Sequence, residues 1–302
     1  MLDLIEARLD EAYVVHRLYD PTAQAAINAA LPAVRAVVSG GGTGLSNDQI
    51  DSLPALGIIA INGVGTDKVD LVKARSRNID VTTTPGVLTD DVADMGMALM
   101  LAVLRHVAKG DSFVREGRWA KGEGFPLGTS PKGKRLGILG LGQIGLALAR
   151  RAEAFGMSVG YWNRSQQQDT HWTSYSTPTE LAASSDVLAI CVAANAATQG
   201  IVNAQVLKAL GPEGVVVNVA RGSVLDEDAL LQALKAGAIA GAGLDVFLGE
   251  PHIREDLFNA PNTVLMPHQG SATRETRVAM GEIVLANLQA FFNGEKPPTA
   301  VN

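Results

Sequence analysis

Short apolar runs rich in Val, Ile and Leu alternate along this chain with longer stretches in which apolar positions recur at helical spacing. That alternation predicts parallel strands joined by crossover helices, and it occurs twice. The first set of strands is expected at residues 12–16, 35–39, 58–61 and 80–83, with helices over 22–31 and 67–77. The second set is expected at 135–139, 158–162, 187–192, 215–219, 242–245 and 264–266. Between the sets, residues 88–115 form one long apolar-periodic segment with Asp90, Asp91 and Asp94 in its first turns, where acids face the positive end of a helix dipole. A Gly- and Pro-rich stretch, 117–133, leads into the second set. The helical pattern at 273–292 follows the last strand and is long enough to return to the first unit, which would make the first domain discontinuous.

Composition narrows the class. With 47% hydrophobic and 19% charged residues in 302, the chain can bury a sizeable core in one large or two ordinary domains. A net charge of −6, with no cluster of Lys and Arg, argues against a nucleic-acid surface and leaves small molecules and a second copy as the expected partners. Cys191 is the only cysteine, so an intrachain disulfide or a thiolate zinc site is excluded; its apolar flanks read as an inert strand end. The N-terminal segment carries acids and lacks the pattern of a signal peptide, and no uncharged apolar stretch reaches membrane-spanning length, so the cytoplasm is the expected location.

The chemistry begins at a glycine fingerprint. The strand at 135–139 runs directly into Gly140-Leu141-Gly142-Gln143-Ile144-Gly145 and then into a helical run. The first glycine allows the tight turn, the second lets backbone approach a pyrophosphate, and the third lets helix pack on strand. The helix N-terminus offers its amides to the phosphates. A cofactor that is NAD would have an acid at the end of the next strand to accept the ribose hydroxyls. Here that strand ends in Asn163-Arg164-Ser165, with no carboxylate. A 2′-phosphate suits such a set of donors, so NADP is expected, NADPH being preferred over NADH; the competing reading of Arg164 is a solvated surface cation. A second glycine run, Gly40-Gly41-Gly42-Thr43-Gly44, lacks the fingerprint spacing and leads into a helix cap, so a tight loop near the substrate is expected.

Three charged residues follow the fingerprint, each on its own loop: Arg221 in Val-Ala-Arg-Gly, Glu250 before Pro251, and His268 after Pro267. An imidazole to give a proton, a carboxylate to favour its charged form and a guanidinium to hold an anion are what reduction of a 2-oxo acid requires beyond the hydride. The competing readings are a satisfied strand-end histidine, a loop acid before a turn proline, and a helix-entry cation. The last is weakened because the helix at 226–235 would present its positive end to Arg221. His16 is read as ending a strand, His106 as lying within the long helix, and His171 and His252 as loop residues; no metal-ligand spacing links them.

Taken with Asn62-Gly63-Val64-Gly65-Thr66-Asp67, the run from Thr84 through Asp94, Gly243-Leu244-Asp245-Val246-Phe247 and Pro267-His268, these motifs resemble the D-isomer-specific 2-hydroxyacid dehydrogenases over almost the full chain, in particular the glyoxylate/hydroxypyruvate and hydroxyphenylpyruvate reductase branch. The resemblance implies an α/β protein of two Rossmann-like, doubly wound parallel-sheet domains, with the active site in the interdomain cleft and a homodimer built through the cofactor domain. It implies a substrate domain of residues 1–94 plus 275–302 and an NAD(P)-binding domain of 95–274. Arg221 would anchor the substrate carboxylate and carbonyl, Glu250 would partner the imidazole, and His268 would donate the proton. The backbone of Val64 and Gly65 would receive the carboxylate, Asp245 would hold the nicotinamide carboxamide, and Thr89, Val192 and Ala220 would line the cofactor. Three departures stand out. The family's first strand precedes the helix near Leu4, and this chain starts too late to supply all of it. The stretch after Cys191 lacks the usual proline and threonine, and Gln143 stands where arginine is frequent. Glyoxylate or hydroxypyruvate reduction is the leading expectation, with phenylpyruvate-type reduction, or a non-catalytic dinucleotide sensor on the same fold, as alternatives.

Overall fold

In the computed structural model, which describes residues 1–165, 167 and 170–302, the chain forms two compact units: 1–88 with 272–302, and 89–271. The first unit opens with α1 (Asp3–Ala12), which buries Ile5 and Leu9, and α2 (Gln24–Ala30). Next come β1 (Ala36–Gly40), α3 (Asn47–Asp51), β2 (Ile58–Asn62), α4 (Leu71–Ser76) and β3 (Asp80–Thr82). Ser46 and Gln49 close a reciprocal capping box on α3, and Asp70 accepts from the Val72 and Lys73 amides at the start of α4. Both helices therefore begin where a side chain replaces the missing backbone acceptor.

The three strands pair in parallel in the order β1-β2-β3. Alternation along β2 separates two cores: Ile59 and Ile61 join Leu45, Ile50, Ile79 and Val81, while Ile58 and Ala60 face the other way. The latter meet Val284 and Leu288 of the returning helix described below. Burial on both faces explains why β2 reads as continuous apolar sequence.

The strand expected at 12–16 does not form. Helix α1 continues to Ala12, and the chain beyond it pairs with no other strand. Tyr13 and Val15 turn inward while Val14 and His16 face solvent, so the alternation reflects an extended segment lying on a helix rather than a ladder. His16 accordingly ends no strand.

The second unit starts with the segment expected as one long helix. It is two: α5 (Thr89–Leu104) and α6 (Val107–Arg115), broken at His106, whose backbone is left-handed (φ 54°) and whose Nδ1 lies 3.1 Å from Asn262 Oδ1. The apolar spacing runs on through the break, which is why the sequence conceals it. Then follow β4 (Arg135–Leu139), α7 (Gln143–Ala154), β5 (Ser158–Trp162), β6 (Thr173–Ser174), α8 (Pro178–Ala183), β7 (Val187–Ile190), α9 (Ala204–Leu210), β8 (Val215–Asn218), α10 (Glu227–Lys235), β9 (Gly241–Leu244) and β10 (Thr263–Leu265). The seven strands form one parallel sheet in the order β10-β9-β8-β7-β4-β5-β6. The two-residue edge strand β6 is too short to carry a sequence pattern.

Helices cover both faces of this sheet. On one side α8, α9 and α10 bury Leu181, Leu207, Leu230 and Leu231 against Leu188, Ile190 and Val216. On the other, α5 lies on β8 and β9 and packs against α7. Its approach to β9 is close because Gly243 has no side chain: a Cβ there would sit 2.9 Å from Leu99 Cβ. Finally α11 (Arg274–Phe292), capped by Thr273, returns to the first unit and packs on β2. The segment after it runs antiparallel beside β3, through a bridge between Thr82 and Ala300 and a Val301 N–H to Val81 O bond of 2.8 Å.

Candidate functional site

Strand order in the second unit reverses at β4, which is flanked by β5 and β7, and ligands of doubly wound sheets bind where the order reverses, beyond the carboxyl ends of the strands. Gly140 sits there with φ 103°, and a Cβ would lie 2.5 Å from the Val192 nitrogen, so both its conformation and the close passage of Val192 require glycine. Gly145 lies directly against the Gly140 carbonyl, which lets α7 start flush on the strand. Gly142, the N-cap of α7, is different: nothing comes within 4 Å of where its Cβ would be. Open space over the backbone at a helix N-terminus fits a pyrophosphate group. Thr89 Oγ1 donates to Gln143 Oε1 at 3.5 Å, so both residues border this loop.

Asn163 follows β5 and accepts the Leu141 amide through Oδ1 at 2.6 Å. Its amide is thereby oriented, and the NH2 end is what it can offer outward. Arg164 and Ser165 beside it are exposed. Cys191 is partly exposed, yet burial of its thiol pushes the pKa up to about 12, which makes it unreactive as a thiolate.

The second cluster hangs from the carboxyl ends of β8, β9 and β10. Asn218, fully buried at the end of β8, takes the Ala220 N–H on Oδ1 (3.0 Å) and gives its Nδ2 to the Arg221 carbonyl (3.0 Å), which shapes the turn presenting Arg221. Arg221 Nη1 donates to the Ala220 carbonyl at 2.8 Å. Next in the chain, Gly222 lies against the backbone of Phe247 and Leu248, where any Cβ would collide. Asp245, only 2% exposed, accepts the Gln269 and Gly270 amides at 2.6 and 2.7 Å, and its backbone carbonyl accepts the His268 N–H at 2.9 Å. Burial outweighs those bonds and the nearby His268, so the Asp245 carboxyl titrates above its ordinary value.

His268 is held in the left-handed region (φ 54°), and its ring Nδ1 lies 2.6 Å from Glu250 Oε2. The other oxygen, Oε1, accepts the Phe247 amide at 2.7 Å. Burial pushes the Glu250 carboxyl up, but the hydrogen bonds from His268 and Phe247 and the charges of His268 and Arg221 prevail and hold it below the usual carboxylate range. Glu250, His268 and Arg221 therefore come together electrostatically although Arg221 and His268 lie 47 positions apart. Val64 and Gly65 belong to the other unit, just past the end of β2. Gly63, next to them, lies against the Gly40–Gly44 loop: a Cβ there would be 3.3 Å from the Gly41 nitrogen.

Sequence reasoning gave no role to Asn218 or to the paired amides of Gln269 and Gly270. An Asn closing an all-Val strand is the one signal that pointed to the first, since a buried amide needs partners. The second had none, because backbone donors carry no residue signature.

Residues 97–270 match the family model for the NAD-binding domain of the D-isomer-specific 2-hydroxyacid dehydrogenases. The chain is 45% identical over 302 residues to a hydroxyphenylpyruvate reductase of Plectranthus scutellarioides, covering 100% of this chain and 96% of that one. A solved dehydrogenase from Rhizobium meliloti is 60% identical with a TM-score of 0.80, covering 100% of this chain and 98% of that chain. An NADPH-dependent glyoxylate/hydroxypyruvate reductase from Sinorhizobium meliloti, solved with NADP and malonate, is 43% identical with a TM-score of 0.92, covering 98% and 92%. Among the described residues no helix is long and apolar enough to cross a membrane. With two parallel α/β units, a nucleotide fingerprint at the strand-order reversal and these relatives, the chain belongs to the D-isomer-specific 2-hydroxyacid dehydrogenase family and is an oxidoreductase.

Proposed function

We propose that this chain reduces a small 2-oxo acid of the glyoxylate or hydroxypyruvate type to the D-2-hydroxy acid, using NADPH. The observation that carries the reading is the 2.6 Å pair of His268 Nδ1 and Glu250 Oε2, with Arg221 close enough to act on the same carboxylate. Gly142 and the start of α7 would hold the pyrophosphate of a reduced nicotinamide dinucleotide, which would supply the hydride when bound. Because Nδ1 is committed to Glu250, Nε2 is the ring atom from which His268 passes a proton to the substrate oxygen. Glu250 stays ionised beside it and fixes the ring plane. Arg221 pairs with the substrate carboxylate and steadies the carbonyl, the amides of Val64 and Gly65 receive the carboxylate, and Asp245 holds the carboxamide of the cofactor. Thr89, Val192 and Ala220 line the cofactor in this reading.

NADPH is favoured by the absence of an acid after β5 and by Asn163: with Oδ1 taken by Leu141, its NH2 group is left to meet a 2′-phosphate, and Arg164 and Ser165 are exposed beside it. A cytoplasmic homodimer completes the proposal, supported by the exposed apolar side chains of Val114, Trp119 and Leu127 on the cofactor unit. Phenylpyruvate-type reduction is the second reading, favoured by the identity with the Plectranthus enzyme.

The test is turnover of glyoxylate, hydroxypyruvate and hydroxyphenylpyruvate with each cofactor. Oxidation of neither NADPH nor NADH by any of them overturns the enzyme reading in favour of a dinucleotide sensor. Asn163→Asp is expected to shift the ratio of specificity constants toward NADH by about tenfold or more, since an acid repels the phosphate; an unchanged ratio would mean that the phosphate is read elsewhere.

A further inference from the structure

Glu227 is a buried acid that the proposed chemistry does not use. It is the first residue of α10 and 4% exposed, and its Oε1 accepts the amide of Leu248 at 2.7 Å. A carboxylate in such a place is costly unless it is hydrogen-bonded or paired. Burial pushes its pKa up, with the charges of Asp228 and Asp256 acting the same way, while the Leu248 bond and the Arg254 guanidinium oppose them. The partner is telling. Leu248 follows Phe247, whose amide binds Glu250, and Gly222, next to Arg221, rests on the peptide unit that joins Phe247 to Leu248. Two adjacent amides are thus each pinned by a carboxylate, one reaching His268 and the other rooted in the helix behind.

We propose that Glu227 is a positioning residue for proton delivery: its carboxylate holds the Leu248 amide and so fixes the backbone against which Glu250 is aligned on His268. This rests on reading Glu250 and His268 as the proton-delivery pair. Glu227 acts as a hydrogen-bond acceptor, so its charge is dispensable while its reach is not. The Phe247 amide and the His268 ring hold the Glu250 carboxyl below its ordinary value. When the loop slackens, both contacts lengthen, the Glu250 pKa climbs back toward the ordinary value, and activity fails at a higher pH as conditions are acidified.

The experiment compares E227Q, E227D and E227L in the full chain. Glutamine retains an acceptor and is expected to keep the parent's kcat and acid limb of kcat/KM, with a melting temperature within a few degrees of the parent's. Leucine removes the acceptor and aspartate withdraws it by one methylene. Both are expected to lower kcat about tenfold and move the acid limb up by about one pH unit, while KM for NADPH stays within about twofold. The titration of Glu250, followed by NMR on the His268 ring in substrate-free protein, should move in parallel. A folded E227L or E227D with the parent's acid limb and Glu250 titration overturns the proposal, as does an E227Q that fails like leucine. If E227L does not fold, E227D decides. Should the parent turn over no 2-oxo acid, the functional reading falls, and the NMR titration still tests the positioning of Glu250.

Discussion

His268 occupies a backbone region that few residues other than glycine tolerate, and it is kept there by N–H bonds to Asp245 and Met266 and by the carboxylate at its ring. Such a conformation persists only where its surroundings enforce it. Asparagine tolerates the left-handed region better than alanine, so His268→Asn removes the proton donor with least disturbance of the backbone. Reduction is expected to fall about 10²- to 10⁴-fold, with NADPH affinity, measured by fluorescence titration, unchanged. Turnover close to the parent's would remove His268 as the acid. The pH behaviour of its partner follows from the sign of the shift: the folded Glu250 carboxyl titrates below its unfolded value, so its contribution to stability is complete above the unfolded value and fades as pH falls through the folded one. Residue types and their loops made Arg221, Glu250 and His268 legible in the sequence. Glu227 was not, because an acid in the first turn of a helix is ordinary; only the loop it touches makes it otherwise.

Among the elements, α7 and the loop before it separate two uses of glycine. Gly140 and Gly145 are demanded by the protein's own atoms, whereas Gly142 faces open space with an extended backbone that alanine also adopts. Gly142→Ala is therefore expected to fold with a melting temperature within a few degrees of the parent's, yet to bind NADPH about tenfold or more weakly, because the added methyl fills the room a pyrophosphate would take. Unchanged affinity would move the phosphate site away from this loop. The strand–glycine–helix succession was readable because its spacing is local. The extended segment after α1 and the break at His106 were not, since apolar periodicity reports which side faces a core and says nothing of hydrogen-bond ladders or of one left-handed residue.

At the scale of the molecule, the unit made of 1–88 and 272–302 is held by contacts between parts far apart in sequence. Asn287 of α11, 1% exposed, donates to Thr299 Oγ1 at 2.8 Å and accepts the Thr299 amide at 3.1 Å; Thr299 in turn donates to the Thr83 carbonyl, and Asn302 takes the Val81 amide. Asn287→Ala strands buried groups at this seam and is expected to cost about 1–3 kcal/mol, read from chemical denaturation. A loss below a few tenths would mean that the seam is held by its backbone bonds alone. The return of α11 could be anticipated from a helix following the last strand, but the pairing of the segment beyond it could not, since Thr-Ala-Val-Asn has no element pattern of its own. The seam also orders events on the ribosome. Residues 89–271 are contiguous and can close their core as soon as they emerge, whereas Ile58 and Ala60 must await Val284 and Leu288, and β3 keeps a bare edge until Val301 arrives. Residues 1–88 are thus made before the unit they belong to can be completed, so a nascent chain stalled before α11 exposes a half-covered sheet to chaperones and to other chains.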